Sequence, residues 1–156
     1  KLSREVPEDF HARHDAIGKV YTYTIYQGPH PSPFLRNYTY FAPRPLDWEG
    51  IARGAALLQG RHDFKSFQAA GSAVTNTVRT LSRVELARRG SCFTLTFIGD
   101  GFLYHQVRNM VGTLLEVGAG RLEPDDISRI LEAGRRECAG PTAPPAGLVL
   151  SRVLYP

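Results

Sequence analysis

Two cysteines, Cys92 and Cys138, are all that 156 residues contain, and they form neither a Cys-x-x-Cys pair nor a ligand cluster. A disulfide framework or a structural zinc site needs more, so reduced thiols in a cytoplasmic protein are expected. His11 and His14 stand three apart, a spacing that a helix could turn toward a metal. No second ligand pair accompanies them, and a metal is not expected. Long apolar runs are missing too. Nothing approaches the roughly 20 residues that cross a bilayer, and the opening KLSREVPEDF lacks the apolar core of a secretory signal, so no membrane partner is expected. There is no internal repeat and no low-complexity segment. Lysine is scarce: with only Lys1, Lys19 and Lys65, arginine supplies 16 of the 19 cations. Arginine is the better bidentate partner for phosphate. The net charge of +4 and pI near 9.3 are nevertheless mild, and they raise an RNA reading without establishing it.

What is present reads as one domain over residues 1–156, built of strands and helices in alternation. Residues 1–18 are polar and turn-rich, and the first residue is Lys rather than Met, as in a piece cut from something longer. VYTYTIY (20–26) alternates strictly and predicts a strand with Tyr21, Tyr23 and Ile25 on one face. QGPHPSP (27–33) predicts a loop, and RNYTYFA (36–42) a second strand. A helix follows over 47–59, with Asp47 as its N-cap, Gly60 beyond its end, and Ile51, Ala55 and Leu58 as its core face. Residues 62–77 are polar and irregular, pinned by two phenylalanines, as binding loops often are. VRTLSRVEL (78–86) and SCFTLTFIG (91–99) predict two strands joined by a hairpin turn at RRG. Helices over 102–118 and 122–134 and a last strand at 148–155 complete an α+β order: a mixed or antiparallel sheet with helices packed on one face.

FLYHQVRNMVG (102–112) holds the sharpest puzzle. Val107, Met110, Val111, Leu114 and Leu115 recur at helical spacing, yet Arg108 sits on the shoulder of that stripe. Arginine keeps its charge, so partial burial calls for an anionic partner. Either a structural carboxylate such as Glu85 or Glu116 waits there, or the arginine serves a site. FHAR (10–13) sets His11 and Arg13 just before the tyrosine strand, and Tyr21 at that strand's entrance suits core or site alike.

Taken together and in this order, FHAR (10–13), KVYTYTIY (19–26), HDFKSF (62–67), VRT (78–80), FLYHQVRNMVG (102–112), TAPPAGL (142–148) and the closing VLYP resemble the tRNA pseudouridine synthases of the TruA family, specifically the second half of such an enzyme. The resemblance implies the pseudouridine synthase fold, this chain being its C-terminal subdomain. It also implies isomerisation of uridine to pseudouridine in the anticodon stem-loop of tRNA, without a cofactor, by a cytoplasmic homodimer. On this resemblance Tyr21 falls at the active-site tyrosine, which packs against the flipped uracil and helps move the proton from C5. Arg108 falls at the arginine that pairs with the family's essential aspartate. A cation within about 4–6 Å lowers a carboxylate pKa by roughly 1–3 units, which would keep that aspartate ionised. A uridine in a stem must be rotated out before its glycosidic bond is cut, and it then needs a flat apolar wall. Arg13, His105, Lys65 and Arg79 are candidates for phosphate or base contacts.

One departure matters most. The family's aspartate lies in a Gly-Arg-Thr-Asp-Ala-Gly type motif of the first half, and nothing like it occurs here; Asp63 and Asp100 touch matching blocks but lie in other contexts. The expectation is a synthase whose N-terminal half is missing, and a chain that is catalytically inactive by itself. A non-catalytic ferredoxin-like RNA-binding module would also explain the strands, aromatics and arginines, although the basic-Gly-aromatic signature of that class is absent. A structural interaction domain would leave Arg108 closed off by a carboxylate of this same chain.

Overall fold

Strand β1 (Gly18–Tyr26) carries the alternation of VYTYTIY into three dimensions. In the computed structural model, which describes residues 5–156, Tyr23 and Ile25 are fully buried. Thr22 and Thr24 are only half-buried on the other face. β-Branched and aromatic side chains suit such a pleated, half-covered surface. β5 (Cys92–Gly99) runs antiparallel along one edge of β1. The opposite edge is shared: β6 (Leu148–Leu154) pairs antiparallel with Gly18–Tyr23, and β2 (Tyr40–Phe41) lies parallel to Ile25 and Tyr26. β4 (Val78–Arg89) continues from β5 through a tight turn at Gly90, whose φ of 59° is the left-handed conformation a two-residue hairpin needs. β3 (Gly60–Asp63) closes the far side. The result is a six-stranded mixed sheet, β2-β1-β5-β4-β3 with β6 beside β1.

Helices α1 (Trp48–Leu57), α2 (Gln106–Gly118) and α3 (Asp126–Ala133) supply the other side of the core. Asp47 caps α1, its side chain accepting from Gly50 N–H at 2.9 Å. Ile51, Ala55 and Leu58 then join Tyr23, Ile25, Leu95, Phe97, Met110 and Leu114 in one buried cluster. Trp48 stacks on Phe93 with centroids 3.6 Å apart and donates to Gln27, so its ring is used within the chain. The helices thus cover one sheet face, the α+β arrangement expected from the element order.

Three local expectations need correction or a limit. The strand expected over 36–42 shrinks to Tyr40–Phe41, because Tyr38 and Thr39 N–H groups and the Thr39 hydroxyl all bond to Leu35 O. That local turn outcompetes a ladder. The stretch expected to be irregular from 62 begins instead with β3; Gly60, at φ 113°, swings the chain straight from α1 into pairing with β4. Its letters, GRHD, carry no apolar alternation, so nothing in the pattern announced a strand. The polar, turn-rich reading of 1–18 is comparable only from Glu5 onward, residues 1–4 lying outside the described part. Among the described residues no helix is long and apolar enough to cross a membrane.

Candidate active site

After β5 the chain turns through Asp100, whose carboxylate accepts from Thr80 N–H at 3.1 Å. Phe102 and Leu103 then fold inward, while Tyr104 stays 54% exposed. His105 follows in a left-handed conformation, φ 56°, the one non-glycine with positive φ among the described residues. Such a conformation costs on the order of 1 kcal/mol or more and tends to collect at functional sites. Gln106 braces the turn from within, its Oε1 accepting from Leu103 N–H at 2.7 Å. Its Nε2 is the one buried side-chain polar atom without a hydrogen-bond partner among the described residues. α2 starts here.

A pocket of about 240 Å³ opens at this start, walled by Tyr21, Phe102, Tyr104, His105, Arg108 and Leu148. Tyr21 arrives from β1, half-buried and edge-on to Phe102, with centroids 5.1 Å apart and planes at 82°. Opposite it β6 has a register shift, Val20 facing Arg152 and Tyr21 facing Leu150, which leaves Ser151 as an extra residue. Bulges of this kind re-aim side chains beside functional clefts.

Arg108 is half-buried in the first turn of α2. Its Nε donates to Ala143 O at 2.6 Å, and its Nη1 lies 3.3 Å from His105 Nε2. Among the described residues no carboxylate pairs with it. Glu85 is bound to Arg83 at 3.0 Å, Asp126 to Arg129 at 2.7 Å, and Glu116 to Arg121. Both carboxylates considered for a closed structural pair are therefore occupied elsewhere. The first turn of α2 holds no acid, so the positive end of the helix dipole adds to the guanidinium. Anything anionic entering the pocket meets an uncompensated positive field.

The loop that aims Arg108 is clamped on both sides. Ala143 N–H donates to Arg108 O at 3.0 Å, while its carbonyl accepts from the same residue's side chain. Backbone lies against backbone here: a Cβ on Gly112 would fall 1.6 Å from Pro141 O. Arg136 ties the loop down, donating to Gly140 O at 2.9 Å and, through Nη2, to Asn109 Oδ1 and Thr142 Oγ1 at 3.2 Å each. Beside the loop, Tyr23 donates to Pro144 O at 2.8 Å. Burial, and then Tyr40, push the Tyr23 phenol above its ordinary range, and the Arg108 charge pulls the other way. Tyr23 is thus a protonated donor that fixes the loop.

Of the residues singled out in the sequence, Tyr21, His105 and Arg108 share this pocket. Arg13 lines an adjoining groove with Tyr104. Arg79 folds back on its own strand entrance, Nη1 donating to Asn76 O and Val78 O, and it lies beside Gly101. Lys65 lies near Gly134 at the end of α3 and is not among the pocket's walls. His11 is occupied locally, Nδ1 accepting from the backbone of Arg13 and His14. Sequence reasoning passed over Phe102, Tyr104, Ala143 and Arg136. The pair of aromatics around Leu103 was a usable signal for the first two; Arg136, in GRREC, carried none.

Fold and pocket together define a class: an α+β sheet protein with a cationic, aromatic-walled recess, lined by no carboxylate among the described residues. A profile of the tRNA pseudouridine synthases matches residues 55–156. The chain belongs to that family. It is 46% identical over 155 residues to tRNA pseudouridine synthase A of Acetivibrio thermocellus, covering 99% of this chain and 64% of that protein. To the protein of the same name from Moorella thermoacetica it is 51% identical over 151 residues, covering 97% and 61%. For that of Exiguobacterium sibiricum the values are 48% over 153 residues, covering 98% and 61%. The chain thus spans a little under two thirds of the length of these relatives. The mixed sheet with helices on one face agrees with the pseudouridine synthase fold.

Proposed function

We propose that this chain is the C-terminal part of a tRNA pseudouridine synthase, furnishing the tyrosine and arginine side of its active site. The observation that carries the reading is Arg108: half-buried, aimed by a clamped loop into an aromatic-walled pocket, and bound to no carboxylate among the described residues. In this reading the aspartate comes from the part of the protein that the longer relatives carry and this chain lacks. Arg108 holds that carboxylate ionised, and Tyr21, backed by Phe102, forms the wall on which the flipped uracil rests. The glycosidic bond from C1′ to N1 breaks, the base turns, a bond from C1′ to C5 forms, the C5 proton leaves near Tyr21, and N1, freed from the sugar, takes up a proton in its place. No atom is gained or lost overall. Arg13 and His105 are the best placed of the four candidates for RNA contacts, since each lines one of the two hollows beside Tyr104, and neither hollow is lined by Arg79 or Lys65. The substrate is the anticodon stem-loop of tRNA, and the working protein is a cytoplasmic homodimer.

The test is tritium release from tRNA labelled at uridine C5, run with this chain alone and with a chain extended to the length of its relatives. Release is expected only from the extended protein, and it should vanish on Tyr21→Leu. Turnover by the 156-residue chain alone would show that the nucleophile lies within it and sink this reading.

A further inference from the structure

Tyr104 stands between two hollows. On one side is the pocket of Tyr21 and Arg108; on the other is an open groove of about 570 Å³ lined by Arg13, Ala70, Gly71, Ser72, Val74 and Phe102–Tyr104. Tyr104 lines both, and it is held like a partition. One ring face stacks on His105, centroids 4.0 Å apart and planes at 22°. Its carbonyl accepts from Ala69 N–H at 3.0 Å, and the loop of the groove is closed by Gln68 Nε2 donating to Val74 O at 3.0 Å. An exposed aromatic ring that rests one face on a neighbour leaves its other face free for a base to stack on. No acidic residue lines the groove, and Arg13 forms no ion pair among the described residues.

We propose that this groove is a second nucleotide subsite, taking the nucleotide next to the flipped uridine, with its base stacked on Tyr104 and its phosphate on Arg13. The subsite rests on the synthase reading above, since the neighbour of the target is what a shared wall would meet. Flat π-faces accept any base, and a guanidinium accepts any phosphate, so the subsite holds the strand without reading its sequence. It acts as a brace, keeping the unstacked neighbour from closing back over the gap left by the uridine.

The experiment uses the full-length protein and two stem-loop RNAs, one carrying 2-aminopurine on the 5′ side of the target uridine and the other on the 3′ side. Stacking on Tyr104 quenches the fluorescence of one of them. Tyr104→Leu is expected to restore it and to weaken RNA binding by about tenfold, while Tyr104→Phe keeps both quenching and affinity. Arg13→Gln is expected to lower the slope of log affinity against log salt by about one. Fluorescence equal for wild type and Tyr104→Leu, with the RNA demonstrably bound, overturns the subsite, as does an unchanged slope for Arg13→Gln. Tritium release in the same samples separates the two failures. Turnover that persists without quenching sinks only the subsite, whereas a wild-type protein that never turns over sinks the synthase reading.

Discussion

An arginine and a hollow lie near each end of α2, and the two ends are treated differently. At its start Arg108 faces a pocket of about 240 Å³ with, among the described residues, a carbonyl and an imidazole for company. Beyond its end Arg121 grips Glu116 through Nε and Nη2, the latter contact at 2.7 Å, in a cavity of about 280 Å³. The hollows are alike in size, so volume does not separate a site from a crevice. Charge balance does. The second cavity meets an anion already neutralised, whereas the first pairs a fixed cation with a helix start, a left-handed histidine and a buried amide nitrogen without a partner. Such features cost stability and tend to collect at functional sites.

Replacing each arginine should break the symmetry most sharply. On the full-length protein, Arg108→Met is expected to lower tritium release by at least about a hundredfold, as removal of a group stabilising charge at a reacting centre does. Arg121→Met should leave the rate within about twofold. Equal losses would erase the distinction. Next in size, Gly112→Ala should destabilise the chain by at least about 2 kcal/mol in urea unfolding, since its methyl would land on Pro141 O. Arg136→Met removes the anchor of the same loop, stranding Gly140 O and leaving Asn109 Oδ1 with the Thr142 hydroxyl, and should cost about 1–3 kcal/mol by the same measurement. A null result for either would mean that the loop is seated by other contacts. The smallest effect belongs to the paired end. Arg121 holds the Glu116 carboxyl below its usual range, so the pair's contribution is present at neutral pH and fades as pH falls through that lowered value. Glu116→Gln should therefore give a small drop in Tm near neutrality that shrinks as the solution is made acidic. A difference that grows with acid would have the wrong sign.

Much of this was readable in the letters. Strict alternation in VYTYTIY put Tyr21, Tyr23 and Ile25 on one face, and Asp47 marked the start of α1. The helical stripe with Arg108 on its shoulder pointed at the pocket, because a charge that cannot be shed is conspicuous against apolar spacing. Where the signal lay in contacts instead of pattern, it was lost. β3 is too short and polar to alternate, and residues 36–42 hold strand-forming letters whose backbone groups found nearer partners at Leu35. Arg136 reads as one more surface cation until its four acceptors are seen together.

The sequence by itself determined the periodicities, and with them the elements, the buried face and the surplus guanidinium, since these depend only on near neighbours along the chain. Tertiary structure alone decided which arginine would find a carboxylate and which would not. It also decided that Tyr21, Arg108 and Tyr104, from β1, α2 and the turn between β5 and α2, would enclose one recess. Pairing is a matter of distances between residues far apart in number, and only the folded sheet and its helices set those.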